Sequence, residues 1–511
     1  MRSNKVLFIS LALFSASILL LVLISTEFAY TAVWEDTQVY TYVASMIFAT
    51  MCFFAFCYLL HAKQSASYNV SPENKVSKST ATKTSSIKWL ISIRSIFVIG
   101  LLARIIFIPT NAVLEDDFYR YFFDGELLTL KANPYKHAPN DFLNDSQGLL
   151  IQEPSGLLQD KEKPVVNSLV YRVAYPDIST IYPPVAQFFF ALSSYIAPYD
   201  LSIWRSLLLL FEIISFYLLV KLLTVYRRPI YFISLYWLNP LLIVEGINAA
   251  HMDVILVPFI LASLLMIQTQ RYTLAGALLA AAVGVKLWPV LLVPFAVVYI
   301  ASKYERGHRL HSILGFCFAF ASLTILLLLP QLLSLSSQSG LQQYSQYWQV
   351  NSFIFSILDS GLVAAYELST SDWLVDPNEL SRLLVSLTIL IFIGKQSLSH
   401  LITTLANKNV RPHDPLALAN HWFWLAFLLF ILSPTGYPWY AFWFMPLLCL
   451  SINRTNWPIL LLSMSLHLYD LRYPEPSAEV FETWIVTITF LPVLAALLWL
   501  QYKHKNEQHV H

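Results

Sequence analysis

Residues 6–25 read VLFISLALFSASILLLVLIS, a run of 20 residues without a charged side chain. With a rise of about 1.5 Å per residue, a helix of this length spans the hydrocarbon core of a bilayer. Similar runs recur along all 511 residues, of which 57% are hydrophobic and 12% charged. This composition predicts an all-α, polytopic membrane protein. The first run is too long for the core of a signal peptide, so we expect it to be retained as the first helix.

The apolar runs predict a bundle of about 12 to 14 transmembrane helices. They lie at 6–25, 40–60, 89–110, 201–224, 230–247, 252–268, 272–286, 288–302, 311–332, 380–402, 414–433, 438–452, 456–470 and 480–501. Two shorter apolar stretches, 183–197 and 352–366, are predicted to be re-entrant or interfacial helices. We treat residues 1–511 as one membrane domain.

Lysine and arginine collect in alternate loops, and this asymmetry predicts the orientation of the chain. The Ser/Thr-rich segment 62–88 carries five lysines and is predicted to be a flexible cytoplasmic loop. The loop 334–379 contains acidic residues but no lysine or arginine. Both termini are therefore predicted to be cytoplasmic. Residues 111–200, between spans 3 and 4, are predicted to form a long outer loop with an interfacial helix.

Other features exclude several classes of function. A net charge of +1 argues against a nucleic-acid partner. The four cysteines lie inside apolar runs without metal-ligand spacing, so we expect no disulfide framework. We find no Walker A loop, dinucleotide fingerprint or HExxH motif among the 511 residues, so nucleotide-driven chemistry within this chain is not expected.

The stretch LEDDFYRYFFDGELLTLKANPY, residues 114–135, opens the predicted outer loop with three adjacent carboxylates, Glu115, Asp116 and Asp117. Acidic side chains are unremarkable at the outer end of a membrane helix. However, neighbouring like charges raise one another's pKa, and a raised carboxylate pKa suits a general base. The cluster is therefore a candidate catalytic site as well as a candidate helix end.

Single charges interrupt the apolar sequence at two further places. His251 and Asp253 lie in a predicted outer turn between two spans, and Lys286 lies in the turn GVKLWP. An ionisable residue in such a position is a functional hypothesis, although a lysine can also snorkel to the interface. One ammonium group beside a Trp-Pro break is suited to a phosphate ligand, so we predict that Lys286 binds one.

Three aromatic turns are predicted on the same outer side. They are TIYPPVAQ at 180–187, YWQVNSFIFSIL at 347–358 and SPTGYPWYAFW at 433–443. Tyrosine and tryptophan are common at any membrane interface, so each turn alone indicates little. Because aromatic faces also stack on sugar rings, the three turns together favour a carbohydrate ligand.

Several separated blocks of the sequence resemble, in order, the bacterial GT-C superfamily of integral-membrane glycosyltransferases. They are EDDFYRYFFDGELLTLKANPY, YPDISTIYPPVAQFFFAL, NPLLIVEGINAAHMDVILVPFILASLL followed by LAGALLAAAVGVKLWPVLLVP, WQVNSFIFSIL and LSPTGYPWYAFWFMPLL. The resemblance is greatest to family 87-like and polyprenol-phosphate-mannose-dependent mannosyltransferases. It departs from them at Gly436-Tyr437, where many relatives carry a histidine before Pro-Trp-Tyr.

The resemblance implies an enzyme of the bacterial inner membrane that acts on the outer face. It would move a sugar, usually mannose in this family, from a polyprenyl-phosphate donor to a lipid-linked or envelope acceptor, with inversion. Asp116 matches the first aspartate of the family motif and would be the base, with Asp117 beside it. The expected donor-phosphate contacts are Lys286, Arg120 and His251. The expected substrate contacts are Glu115, Tyr119, Asp124, Tyr182, Asp253, Asn351, Trp439 and Tyr440. No motif requires a metal ion, and Mg²⁺ or Mn²⁺ at the acidic cluster stays open.

Two other functions fit the same composition. A transporter, or a flippase for lipid-linked saccharides, would also carry intramembrane charges and broken helices. However, the sequence shows no inverted repeat, and its polar groups concentrate on one predicted face. A non-catalytic subunit of an envelope assembly is the third possibility. Sugar transfer from a polyprenyl-phosphate donor separates the first function from the other two.

Overall fold

The computed structural model is all-helical over the residues that it describes, which confirms the predicted fold class. It describes residues 2–28, 36–68, 92–142, 170, 172–303, 306–336, 339–369, 373–406, 414–474 and 477–509. Within these ranges no β-strand forms, and the extended backbone pairs in one isolated parallel bridge, between Val350 and Thr435.

Six helices within the described ranges are long and apolar enough to cross a membrane. They are Lys5–Glu27, Asp36–Lys63, Leu201–Val225, Arg309–Leu332, Pro377–Ile402 and Phe481–Glu507. The predicted span 230–247 is instead a pair of helices, Ile230–Trp237 and Pro240–Asn248, bent by 58°. The break precedes Pro240, which has no amide hydrogen to donate and disfavours helical geometry at the residue before it.

Shorter helices account for the other predicted spans. The apolar ones are Pro184–Ile196, Met252–Gln268, Tyr272–Val285, Trp288–Lys303 and Ala417–Leu432. The remaining segments include Ile93–Ile105, Asp117–Thr129, Pro139–Phe142, Gly340–Tyr347, Ile354–Glu367, Pro438–Tyr440, Ala441–Ser451, Trp457–Leu461, Leu462–Ser465 and Leu466–Arg472. A straight span needs about 20 residues. Six long helices, or seven spans with the bent pair, therefore meet the length criterion, fewer than the apolar runs suggested.

The chain divides into two compact units. The first comprises Met1–Leu114, Leu219–Asn248 and Tyr437–His511, and the second comprises Glu115–Leu218 and Ala249–Gly436. In the first unit, Asn248 is buried and its Nδ2 donates to Asn111 O at 2.7 Å. Its Oδ1 accepts the N–H of Val113 at 3.1 Å. Asn248 therefore fixes the backbone of this unit close to its boundary at Leu114.

The second unit begins with a helix that hydropathy did not predict. Asp117–Thr129 falls inside the predicted outer loop 111–200 and packs against Pro184–Ile196. Gly125 permits this close approach, since a Cβ at that position would lie 2.5 Å from Phe190 O. Tyr121 stacks on the Phe190 ring with the centroids 4.6 Å apart. The helix was missed because Asp, Arg and Glu interrupt its aromatic run.

The predicted cytoplasmic loop 62–88 falls mostly outside the described residues. The helix that precedes it continues to Tyr68, several residues beyond the predicted start of the loop. Residues 143–169 of the predicted outer loop also lie outside the described part of the chain.

Candidate active site

The three adjacent carboxylates stand at the start of helix Asp117–Thr129. Oε1 of Glu115 accepts the backbone N–H groups of Asp116 and Asp117 at 3.1 and 3.2 Å. The first amides of a helix have no partner within the helix, so this contact satisfies two of them. Asp116 occupies the N-cap position, but its side chain makes no capping hydrogen bond. Glu115 therefore accepts the amides at the start of the helix, and the Asp116 carboxylate does not cap it.

His251 faces two of these carboxylates. Its Nε2 lies 3.4 Å from Glu115 Oε2 and its Nδ1 lies 3.9 Å from Asp117 Oδ2, while its side chain has 0% exposure. The preceding residue, Ala250, has a φ of 64°, a left-handed conformation that is uncommon for residues other than glycine. Its carbonyl accepts a hydrogen bond from Trp204 Nε1 at 2.8 Å. This turn brings His251 to carboxylates more than 130 positions earlier in the chain.

Lys286 and Asp253 form a second pair within the same unit. Lys286 Nζ donates to Asp253 Oδ1 at 2.7 Å, and the side chains are 21% and 2% exposed. Asp253 lies in the short 3-10 helix Met252–Ile255, immediately after His251. Lys286 follows the end of helix Tyr272–Val285 and has extended backbone geometry. The two helices thus place an ammonium group beside a buried carboxylate.

Burial and the neighbouring charged groups change the pKa of Asp117. Removal from water and then repulsion by Glu115 raise the pKa of Asp117 to about 7, while attraction to His251 and Lys286 opposes the rise. Its side chain is nevertheless 29% exposed, so a ligand can reach it. Repulsion by the neighbouring Glu115 carboxylate thus adds to the larger effect of burial on Asp117.

Arg120 and Asp124 lie one turn further along the helix. Arg120 Nη1 is 3.8 Å from Asp124 Oδ1, and its Nη2 donates to the carbonyl oxygens of Tyr175 and Ile178 at 3.0 and 2.8 Å. Asp124 is 1% exposed and accepts a hydrogen bond from Gln187 Nε2 at 2.8 Å. These contacts join helix Asp117–Thr129 to the chain at 175–187. They give both residues a structural role, and the contacts of Arg120 with the donor phosphate and of Asp124 with the substrate stay predictions.

Gln187 was not predicted as a site residue. Its Nε2 donates to Thr180 Oγ1 at 2.8 Å as well as to Asp124, so it connects two segments of the unit. Gln187 belongs to TIYPPVAQ, one of the three predicted aromatic turns. The available signal was a polar side chain in the first turn of the otherwise apolar helix Pro184–Ile196.

Tyr119 and Tyr182, both expected at the substrate, have defined neighbours. The Tyr119 hydroxyl accepts a hydrogen bond from Arg172 Nη1 at 2.7 Å. The Tyr182 ring packs edge-on against Tyr121, with the centroids 5.3 Å apart. Burial raises the pKa of Tyr121 and Tyr182, and the charge of Asp117 raises both further. The two rings therefore experience the field of the acidic cluster.

Asn351 joins two of the predicted aromatic turns. Its side chain is buried and its Nδ2 donates to Gly436 O at 2.6 Å. The backbone N–H of Val350 donates to Pro434 O at 2.9 Å, and the N–H of Gly436 donates to Val350 O at 3.0 Å. The segments near 350 and 435 are thus held side by side. These contacts give Asn351 a role in fixing the turn.

Trp439 and Tyr440, the other expected substrate contacts, belong to the first unit. Trp439 stacks on Tyr437 with the ring centroids 4.4 Å apart. Tyr440 stacks on Trp443 at 4.0 Å. Both rings are largely buried in this aromatic cluster, at 7% and 4% exposure.

Among the residues that the structure describes, one group of three His, Cys, Asp or Glu side chains has the spacing to hold a metal ion. It consists of Glu115, Asp117 and His251, whose ligand atoms all lie within 4.8 Å of one another. Asp116 is not a member of this group, although it lies between two members in sequence.

Residues 182–302 match the model of a protein family described as Alpha-(1->6)-mannopyranosyltransferase, N-terminal domain. The comparison with curated proteins found no match, and neither did the comparison with solved structures. The matched segment contains His251, Asp253 and Lys286, whereas the carboxylates at 115–117 lie outside it. The match confirms the resemblance to polyprenol-phosphate-mannose-dependent mannosyltransferases and the predicted enzyme class.

Proposed function

We propose that this multi-span membrane protein transfers mannose from a polyprenyl-phosphate donor, because residues 182–302 match the model of the alpha-(1->6)-mannopyranosyltransferase family. The acceptor would be a lipid-linked or envelope glycan, and the family description favours an α-(1→6) linkage. One observation carries this proposal for the site. Within the second unit, the carboxylates of Glu115 and Asp117 lie beside His251. Lys286 is paired with Asp253, which lies two residues after His251 in the sequence.

The reaction needs a group that accepts a proton from the acceptor hydroxyl. We assign this role to Asp116, which makes no capping bond to the helix and is partly exposed. As the hydroxyl oxygen attacks C1 of the mannosyl group, its proton passes to the Asp116 carboxylate. The new C1–O bond forms while the bond from C1 to the phosphate oxygen breaks, and the configuration at C1 inverts. A positioned base typically accelerates such a step by about 10²–10⁴-fold.

The electron pair of the broken bond leaves with the polyprenyl phosphate. Negative charge on that phosphate therefore grows in the transition state, and a fixed positive group beside it lowers the barrier. Lys286 is our candidate, since Asp253 holds its ammonium group in place at 2.7 Å. The matched family segment includes Lys286, which supports a role within the site.

The distribution of lysine and arginine supports an active site on the outer face of the membrane, and the family resemblance implies that this is a bacterial inner membrane. Nucleotide sugars are not available on that side, so a lipid-phosphate donor suits the location. The acidic residues at 115–117 follow the predicted third span, at its outer end. Both termini would then be cytoplasmic.

Transfer by the purified protein tests this function. The full chain in detergent would receive a polyprenyl-phosphate [¹⁴C]mannose and an alkyl α-mannoside acceptor. We expect a labelled disaccharide product, and no product from GDP-mannose supplied alone. NMR of the product would establish the linkage and the anomeric configuration. A well-folded protein that forms no product with the lipid donor, across lipid and glycan acceptors, would contradict the proposal and favour transport.

A further inference from the structure

The positive side chains of the site are already engaged with carboxylates. Lys286 pairs with Asp253, and Arg120 pairs with Asp124 and two carbonyl oxygens. His251 lies between Glu115 and Asp117. An anionic donor phosphate would therefore approach a site in which carboxylates outnumber these cations. At short range in a site that partly excludes water, such like-charge repulsion is larger than in bulk solvent.

The arrangement around His251 resembles a set of metal ligands. Glu115 Oε1 is held by two backbone amides, which leaves Oε2 directed toward His251 Nε2 at 3.4 Å. Neighbouring ligands of a divalent ion with bonds of about 2.1 Å are roughly 3 to 3.5 Å apart. The group contributes one oxygen from each of two carboxylates and one imidazole nitrogen, all within 4.8 Å. Glu115 faces Nε2 of the imidazole and Asp117 faces Nδ1, so the two carboxylates must turn toward the same ring nitrogen to bind one ion.

We propose that Glu115, Asp117 and His251 bind one divalent cation, of the Mn²⁺ or Mg²⁺ class, and that this cation binds the donor phosphate. The inference rests on the proposed function, because it assigns the substrate's charged group to a position in that site. Three protein ligands leave coordination positions for phosphate oxygens and water. Asp116 stays outside the ligand set, so the base and the cation site are separate groups.

The chemistry of the ligands favours this class of ion. Carboxylate oxygens suit Mg²⁺ and Mn²⁺, and an imidazole nitrogen shifts the preference toward Mn²⁺. A cation in this position would act as a Lewis acid on the phosphate and would stabilise the charge that the leaving group acquires. It would also neutralise the repulsion between the neighbouring carboxylates of Glu115 and Asp117.

Binding of Mn²⁺ to the purified full chain tests the inference without any substrate. Free Mn²⁺ gives a six-line electron paramagnetic resonance signal that is lost on binding, so titration measures affinity and stoichiometry. We expect one site per chain, with competition by Mg²⁺. Glu115→Gln should weaken binding at least tenfold. Glu379→Gln, which removes an exposed carboxylate from helix Pro377–Ala406, should bind as tightly as the wild type.

A second variant keeps the test valid if Glu115→Gln does not fold, because Glu115 also caps a helix. Asp117→Asn changes a side chain that is 29% exposed, and it should weaken binding to a similar extent while the protein remains monodisperse. The inference is overturned if wild type binds no Mn²⁺, or if both ligand variants bind it as tightly as Glu379→Gln does.

Transfer assays after chelation distinguish this inference from the proposed function. We expect EDTA to abolish mannose transfer and added Mn²⁺ or Mg²⁺ to restore it. Full transfer in EDTA would overturn the cation's role at the phosphate and leave the proposed function intact. Conversely, Mn²⁺ bound at these ligands without transfer from any polyprenyl-phosphate sugar would contradict the proposed function and support the site alone.

Discussion

Lys286 Nζ lies 2.7 Å from Oδ1 of Asp253, so a predicted lone cation in an apolar turn is one half of an ion pair. Asp253 is almost completely buried, while a fifth of the Lys286 side chain remains exposed. A lysine that merely snorkelled toward the interface would not need a buried carboxylate as its partner. The pair fixes the ammonium group at a position where it can also meet an anionic ligand.

We therefore predict that Lys286→Met slows mannose transfer and weakens donor binding, each by about tenfold or more. Lys286→Arg should restore activity only in part, because its planar guanidinium does not reproduce a compact ammonium charge. Steady-state kinetics with varied donor concentration would measure both effects. Unchanged kcat and KM in Lys286→Met would return this lysine to a structural role.

The double variant Lys286→Met/Asp253→Asn separates stability from function. Lys286→Met alone leaves the buried Asp253 carboxylate without its ammonium partner, so it should lower the melting temperature. Removing both charges should recover much of that stability, because no lone buried charge remains. Transfer should stay slow in the double variant. Recovery of transfer together with stability would show that the lysine acts only on folding.

Gly125 is predicted to be essential for the packing of helix Asp117–Thr129. A Cβ at this position would approach Phe190 O to 2.5 Å, so Gly125→Ala must push helix Pro184–Ile196 away. We expect a clearly lower melting temperature and less active protein. Gly361→Ala is the matched control, since no atom lies within 4 Å of a Cβ there and alanine favours a helix. Equal melting temperatures in the two variants would contradict the described packing of these helices.

The orientation of the chain can be tested by cysteine labelling. Lys136 and Lys505 are exposed, and the first lies in the predicted outer loop while the second lies in the predicted cytoplasmic tail. In a background without the four native cysteines, Lys136→Cys should react with an impermeant maleimide in spheroplasts. Lys505→Cys should react only after the membrane is permeabilised. Labelling of both positions before permeabilisation would contradict the predicted topology and the use of an outer donor.

Hydropathy located the helices better than it located their breaks. The run 6–25 is a helix over Arg2–Glu27, and 201–224 is a helix over Leu201–Val225. The run 230–247 looked equally continuous, but the chain bends before Pro240. Averaged hydropathy measures apolar content, and a single proline barely changes that average while it removes a backbone donor.

The sequence predicted the individual residues of the candidate site but not the contacts between them. Charged residues in or next to apolar sequence identified Glu115, Asp117, His251, Asp253 and Lys286 as candidates. Which of them contact one another was visible only in the folded structure. His251 meets carboxylates from a distant segment, and Lys286 meets Asp253 from the neighbouring helix. Nothing in the local pattern of either segment encodes which carboxylate each cation takes.

The Asp116→Asn variant tests the proposed reaction most directly. Asp116 is the proposed base and belongs to the carboxylates Glu115, Asp116 and Asp117 at the start of helix Asp117–Thr129. Asp116→Asn keeps the shape of the side chain and removes the basic oxygen, and asparagine is as good an N-cap as aspartate. We predict that the rate of mannose transfer, measured in a single turnover at saturating donor, falls by about 10²-fold or more while the melting temperature and donor affinity are unchanged. An Asp116→Asn protein that transfers mannose at the wild-type rate would contradict the assignment of this carboxylate as the base.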